Sequence, residues 1–356
     1  MVNLHKIFGR NLEFLHGNFI SIVYAYLMAV MARIISKPVI IGATCTAMVL
    51  FGTSVYVWYE NQRPPILEIY VIPFITGQAL FIRTPSDKRI LVDGGTNSEI
   101  IRHISSILPF YSRRIDTVMV TRPDSAHVSG LIDVVERYGV GEIVVPGVSL
   151  GSSTDQIYQT FIETVERLKI PIKKVVADDK LVFDEGVLPV ITSTSTSISN
   201  VRIPVTANIL FPVATNTPLT DFSSSMPKNF SYSKASAPEL VFSISYGSTS
   251  VMVIGAVTPK IQKFIASTSA TSSVDVLIIS KNPIVSNLAP VFLEKVSPAN
   301  IIYSKAVTKA KTGSVLDSTL MISSSTTPNI TLNIREVGTV KISSEGTVIS
   351  IKKINE

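Results

Sequence analysis

The sequence predicts an α/β (α+β) chain, a four-layered αββα sandwich preceded by one or two N-terminal membrane helices. Three observations carry this expectation. Residues 38–59, PVIIGATCTAMVLFGTSVYVWY, contain no charged side chain. Beyond residue 65 come two β-rich halves, each flanked by stretches with helical spacing of apolar residues. No repeat of solenoid period is present, and two such blocks suit two packed sheets better than one doubly wound sheet.

The apolar run explains why 46% of the 356 residues are hydrophobic. At about 1.5 Å rise per residue it spans roughly the 30 Å of a bilayer core. Trp58 and Tyr59 close it where an aromatic belt belongs. A buried core helix rarely runs this long without one polar face. The stretch 14–32 is also uncharged but carries His16, Asn18 and several small residues. A first membrane span and an interfacial helix both fit it. A cleaved signal peptide is not expected, because the main run is too long and too far from Met1. The expected organisation is therefore an N-terminal segment 1–37, a transmembrane helix 38–59, a linker 60–65 and one domain over 66–356.

Arg33 and Lys37 flank the N-terminal side of the run and belong in the cytoplasm. One span or two, the bulk of the chain is then extracytoplasmic and the protein sits at the cell membrane. The single cysteine, Cys45, lies inside the run, so the exported part has no disulfide and no thiolate. The net charge of +6 divides equally: residues 1–59 hold Lys6, Arg10, Arg33 and Lys37 against Glu13, and the rest is spread thinly. Bulk charge is thus a weak argument for nucleic-acid binding.

After Asn61-Gln-Arg-Pro-Pro, residues 66–73, 78–84 and 89–93 read as consecutive strands rich in Ile, Leu and Val. Ile100, Ile101, Ile104 and Leu108 mark a helix between Asn97 and Pro109. IDTVMVT (115–121) is a buried strand, and 128–139 a helix closed by Gly139. EIVVPG is a strand, and 154–170 a helix with Thr154 as N-cap. In the second half, TANILFP, LVFSISYG, SVMVIGAV, VDVLIIS and NIIYS are strands. A hairpin turns at Gly247-Ser248, a helix runs near Pro290–Val296, and a closing hairpin turns at Glu345-Gly346. ITSTSTSISN and FSSSMPKNFSYSKASAP lack apolar periodicity and read as loops.

GQALFIRTPSDKRILVDGG (77–95) followed by VTRPDSAHVSGL (120–131) resembles the C-terminal metallo-β-lactamase-type domain of the ComEC DNA-internalisation family. LEIYVIPFITGQ is similar to that family's opening strand, and PPI at 64–66 to its junction after the last membrane helix. ELVFSISYGSTSVMVIGAV (239–257), DVLIISKNPIVSNLAPVFLEKVSPANIIYS (275–304) and the tail EVGTVKISSEGTVISI resemble later segments in order and spacing. The resemblance runs from about residue 64 to the end, and implies a metallo-β-lactamase-like αββα fold.

The chemistry of that fold needs clustered His and carboxylate ligands around one or two metal ions. The resemblance implies that those ligands are largely lost here. Where the family reads His-x-Asp-x-Asp-His, this chain has Arg122, Asp124, Ala126 and His127. The bridging Asp position is Ala256, and the family's His-His pair falls on Lys281 and Asn282. The last loop histidine falls near Gly313, in a segment without histidine, and Thr76-Gly77-Gln78 replaces a Gly-Gln-Gly-Asp turn. Of four histidines, His5 and His16 lie at or before the membrane run and His103 on a helix, leaving His127. No metal, no cofactor and no catalytic residue is therefore expected: the chain reads as a pseudo-hydrolase.

Asp93, Asp124 and His127 remain of the motif. On one reading Asp93 caps the Gly94-Gly95 turn, Asp124 caps a helix, and His127 packs beneath it. Arg122 and Lys281 stand on former ligand positions, with Lys305, Lys309 and Lys311 on a loop edging the cleft. These cations either grip a phosphodiester without cutting it, or Arg122 pairs with Asp93 or Asp124 and plugs the cavity. Three functions follow as expectations. The first is a membrane-anchored, inactive accessory in DNA uptake, beside a channel-forming membrane partner and with single-stranded DNA as ligand. The second is a cell-envelope binding or scaffold protein unrelated to DNA. The third is an unconventional hydrolase, although no motif orients Ser125 or Ser129 on His127.

Overall fold

The computed structural model describes residues 26, 37–61, 65–74, 77–147, 155–184, 187–191, 198–212, 239–255, 257–268, 271–279, 288–304, 320–322 and 330–354. The chain divides into two compact units, Met1–Pro64 and Pro65–Glu356.

In the first unit, helix α1 covers Lys37–Asn61, close to the expected 38–59. Its described side chains are those of residue 42 and residues 44–55, and all of them are exposed, among them Met48, Val49, Leu50 and Phe51. Among the described residues no helix is long and apolar enough to cross a membrane. The expected spans over 14–32 and 38–59 are thus not carried by the structure. For 38–59 the helix itself is present, and 14–32 lies almost wholly outside the described residues.

The second unit holds the sandwich. Its first half runs β1 (Leu67–Pro73), β2 (Gln78–Arg83), β3 (Arg89–Val92), α2 (Glu99–Ile107), β4 (Arg114–Met119), α3 (Ser125–Arg137), β5 (Gly139–Pro146), α4 (Gln156–Arg167), β6 (Ile172–Val175) and β7 (Lys180–Asp184). There follow β8 (Val187–Ile191), β9 (Ile198–Arg202), β10 (Val205–Phe211), β11 (Val241–Tyr246), β12 (Thr249–Ile254), α5 (Pro259–Ser267), β13 (Val276–Ile279), α6 (Pro290–Val296) and β14 (Asn300–Tyr303). The chain closes with β15 (Leu320–Ile322), β16 (Ile330–Asn333), α7 (Ile334–Val337), β17 (Val340–Ser344) and β18 (Ile349–Lys353).

The sheets are mixed. One has nine strands in the order β15-β18-β17-β1-β2-β3-β4-β5-β6, the other seven in the order β16-β14-β13-β12-β11-β10-β7, and β8 pairs with β9 alone. From β3 to β6 neighbours are parallel, so α2, α3 and α4 are the crossovers that parallel pairing demands. Alternation of side chains then assigns the layers. In β1, Leu67, Ile69 and Val71 enter the core shared with Phe242, Ile244, Val251, Val253 and Ile278 of the other sheet. Tyr70 and Ile72 face the opposite way, with Ile104, Leu131, Val134 and Phe161 of the three helices. On the far side of the second sheet, Met252, Ile254 and Leu277 pack with Phe264, Ile265 and Phe292 of α5 and α6. Helices, sheet, sheet, helices: the four-layered αββα sandwich expected from the sequence is the architecture observed. The described buried residues of these three cores run from Leu67 to Ile351, all within the second unit.

Local corrections have simple causes. The helix expected over 128–139 starts earlier, at Ser125, and ends with Tyr138 in extended backbone; Gly139 opens β5 instead of capping. The N-cap of α4 is Asp155, whose carboxylate accepts from the N–H groups of Ile157 and Tyr158, rather than Thr154. Part of ITSTSTSISN, read as a loop, belongs to the β8–β9 pair, because Val190 and Ile191 find Ser199 and Ile198 across it.

Candidate functional site

The site forms where β3 and β4 end. β3 stops at Val92, and Asp93 takes a left-handed conformation (φ 58°) while its N–H still donates to Met119 O at 2.9 Å. That turn aims the carboxylate inward. Oδ1 accepts from Thr121 N–H at 2.8 Å and Oδ2 from the Thr121 hydroxyl at 2.6 Å. Asp93 thus spends itself on the neighbouring strand end, instead of capping its own glycine turn.

The glycines serve a different purpose. Gly94 N–H donates to His127 O at 2.8 Å, and Gly130 N–H to Gly95 O at 3.2 Å. A β-carbon on Gly130 would lie 2.1 Å from Gly94 O, and one on Gly94 would lie 2.6 Å from Leu131 N. Helix α3 and the turn after β3 meet backbone to backbone, and side chains at either position would hold them apart. This contact sets the depth at which His127 sits.

Asp124 occupies the N-cap position of α3 in extended backbone, yet its side chain makes no cap hydrogen bond. It turns to two partners. His127 Nδ1 lies 2.5 Å from Oδ1, and Arg122 Nε lies 2.8 Å from Oδ2. The vacated cap is filled by Asp155, whose Oδ2 accepts from Ser125 N–H at 2.8 Å. One carboxylate therefore serves both α4 and the start of α3.

Glu239 adds a carboxylate that sequence reasoning passed over as part of a strand. It is buried immediately before β11, and Leu240 N–H donates to Thr121 O at 2.7 Å, joining the two sheets at the site. The available signal was an acidic residue abutting the apolar LVFSISY, paired with a glycine at the end of the next strand. Its charge reaches His127. Burial alone would lower the His127 pKa, but Asp93, the Asp124 hydrogen bond and charge, and Glu239 outweigh it and raise the value. For Asp93 burial dominates: against the pull of His127 and Thr121 it pushes the carboxyl up to about 6. Asp93 and His127 thus both hold their protons to higher pH than the free groups do.

Arg122, Asp124 and His127 are thus brought together, with Asp93 beside them through His127. Ala126 lies within the first turn of α3 between Asp124 and His127. Ala256, Lys281, Asn282, Lys305, Lys309 and Lys311 lie outside the described residues. His103 is buried on α2 with its ring edge-on to Phe74 at 5.8 Å. The Ser129 hydroxyl donates to Ser125 O, so it is not aimed at the imidazole.

At the described motif positions the donors are turned to other partners. Among the described residues no three His, Cys, Asp or Glu side chains converge in a metal-holding group. The chemistry agrees: a guanidinium touches Asp124, and Asp93 is engaged on Thr121.

No family model matches the chain, and no curated protein matches it. Solved structures do. The diiron β-hydroxylase CmlA from Streptomyces venezuelae is similar at 15% identity and a TM-score of 0.37 over 68% of this chain and 44% of its own. A Cronobacter sakazakii metallo-β-lactamase is similar at 10% identity and 0.35, over 60% and 74%. A subclass B3 metallo-β-lactamase from a soil metagenome library is similar at 12% identity and 0.34, over 60% and 76%. The chain spans less than half of CmlA. With TM-scores in this range the architecture rests on the order of the two sheets and not on these likenesses.

Proposed function

We propose that this chain is a membrane-attached, non-hydrolytic member of the metallo-β-lactamase-like folds that serves as an accessory in DNA uptake. The observation that carries the non-hydrolytic part is the Arg122–Asp124–His127 chain of contacts. These are motif positions at which the ComEC-type domain carries metal ligands, and here a guanidinium lies against the carboxylate that also holds the imidazole, with the buried Arg122 Nε in ion-pair contact but completing no hydrogen bond. The DNA-uptake part is supported by the ComEC resemblance over residues 64 to the end. Membrane attachment, with the sandwich extracytoplasmic, is supported by the uncharged run 38–59 and by Arg33 and Lys37 before it. The partner on this reading is a channel-forming membrane protein, and single-stranded DNA phosphates are held by Arg122, Lys281, Lys305, Lys309 and Lys311.

One observation favours a second reading. Arg122 is spent on Asp124, which suits a plugged cavity and a cell-envelope scaffold with no nucleic-acid ligand. Titrating a labelled single-stranded oligonucleotide into residues 62–356 separates the two. Salt-sensitive binding that weakens about tenfold or more in Arg122→Ala/Lys281→Ala supports the phosphate cleft. Absent or salt-insensitive binding supports the scaffold. Stoichiometric zinc in the purified unit, or phosphodiester turnover lost in His127→Ala, would overturn both.

A further inference from the structure

The end of the nine-stranded sheet opposite the His127 site carries a feature that the function above does not use. Helix α2 finishes with Leu108 buried, and the chain then makes a tight turn, Pro109 to Ser112, closed by Ser112 N–H donating to Pro109 O at 2.9 Å. Phe110 and Tyr111 form the tip. They are 92% and 74% exposed, and their rings stack edge-on at 5.4 Å. Arg113 and Arg114 follow at once, both exposed. The base is pinned, because Arg89 donates to the Ser112 hydroxyl and to Arg114 O. A rigid turn thus holds two aromatic rings in water, against a burial preference of about 1.5–3 kcal/mol for a ring the size of Phe.

The position of the tip decides its partner. β1 and β2 are antiparallel, β2 and β3 antiparallel, and β3 and β4 parallel, so β1 and β4 begin at the same end of the sheet. Pro65, the first residue of this unit, is at that end, its carbonyl accepting from the Tyr246 hydroxyl at 2.9 Å. The aromatic tip precedes β4 at the same end, with Lys88 before β3 and Arg137 at the end of α3. Acids are present too: Asp87 pairs with Arg89, and Asp116 with Lys88 and Arg114, leaving the Arg114 side chain 71% exposed. Aromatic rings with adjoining arginines match the chemistry of a bilayer interface, and in the sequence an uncharged 22-residue run precedes the strand, β1, that begins at this end.

We propose that the Pro109–Arg114 turn is a membrane-docking tip, with Phe110 and Tyr111 entering the headgroup region of an anionic bilayer and Arg113 and Arg114 meeting lipid phosphates. It rests on the membrane attachment proposed above, and not on the DNA reading. Residues 62–356, which contain the whole second compact unit Pro65–Glu356, provide the test without α1. Trp58 is the only tryptophan of the chain, so Phe110→Trp gives this unit a single reporter at the tip. On vesicles of phosphatidylglycerol and phosphatidylcholine its emission shifts to the blue, and on phosphatidylcholine alone the shift is weaker. In co-sedimentation, Phe110→Ser/Tyr111→Ser loses about tenfold or more in affinity, and Arg113→Gln/Arg114→Gln roughly tenfold on anionic vesicles only. Both variants keep the wild-type unfolding midpoint, since the side chains are exposed. Equal sedimentation of all three proteins, or no sedimentation, overturns the tip. Quenching of the reporter by single-stranded oligonucleotide with no response to vesicles assigns the rings to base stacking instead. Recovery of the full chain in the membrane fraction, combined with no vesicle binding by the unit, leaves the attachment standing and removes the tip alone.

Discussion

The carboxylate of Glu239 lies over the Cα of Gly255, where a β-carbon would come within 1.1 Å of Oε1. This glycine keeps open the space in which a buried acid sits close enough to act on His127. Gly255→Ala should displace the carboxylate and cost about 1–3 kcal/mol in urea unfolding. Glu239→Gln keeps the shape and removes the charge, so the His127 imidazole should titrate at lower pH by NMR. An unchanged titration in Glu239→Gln would remove Glu239 from the cluster.

Gly130 makes the tighter demand. A β-carbon there meets backbone oxygens, Gly94 O at 2.1 Å and Asn97 O at 2.6 Å, and neither is the end of a flexible side chain. Gly130→Ala should cost about 3 kcal/mol or more, against the roughly 1 kcal/mol gained when alanine replaces an unhindered helical glycine. A urea midpoint within error of wild type would show that α3 and the turn after β3 do not dock this closely.

Asp155 supports two helices with one carboxylate. Asp155→Ala should lower stability by about 1–2 kcal/mol, at the upper end for a lost cap, because three N–H groups lose an acceptor. Asp155→Asn should recover part of this. Hydrogen exchange provides the check, with protection falling at Ser125, Ile157 and Tyr158 together.

Acid should stabilise this site. Asp93 is raised to about 6, so its ionised form is disfavoured in the fold. That penalty is absent below the unfolded value of about 3.9 and grows as pH rises to about 6. His127 is raised as well, so its contribution is full below about 6.5 and is lost as pH climbs through the higher folded value. Both groups make the folded state bind more protons, and their joint effect is a stability that falls from pH 4 to 8. Urea midpoints across that range should show the slope, and Asp93→Asn should flatten it between pH 4 and 6. The same slope in Asp93→Asn would show that other groups set it.

The layers were legible because the central strands are near-continuous apolar runs buried on both faces, as with Leu67-Ile69-Val71 on one side and Tyr70-Ile72 on the other, and come in two blocks with helical stretches beside them. The hairpin turns at Gly247 and Gly346 were legible because both positions take positive φ. What escaped was set by contacts between distant residues. Nothing local shows that Asp155 rather than Asp124 receives the first N–H of α3, or that Thr121 claims both oxygens of Asp93. The short strands β6 and β7 carry lysines and are partly exposed, so period-two reasoning had little to grip. At the site, Arg122, Asp124 and His127 were readable as motif positions, whereas Glu239 becomes visible only once the two sheets are packed.

The place of β1 in the nine-stranded sheet governs how the molecule can be made. Its outer neighbour is β17, paired from Leu67↔Ser344 to Val71↔Val340, and Glu68 is held between Arg83 of β2 and Lys341 of β17. The first strand of the sandwich to leave the ribosome therefore waits for one of the last. At roughly 5–20 residues per second that wait is on the order of tens of seconds. During it β1 presents an unsatisfied apolar edge, and Glu68 has Arg83 and the Tyr70 hydroxyl but not yet Lys341. Early association with a chaperone or a membrane partner is the natural remedy, and premature termination anywhere before β17 leaves a chain prone to aggregate.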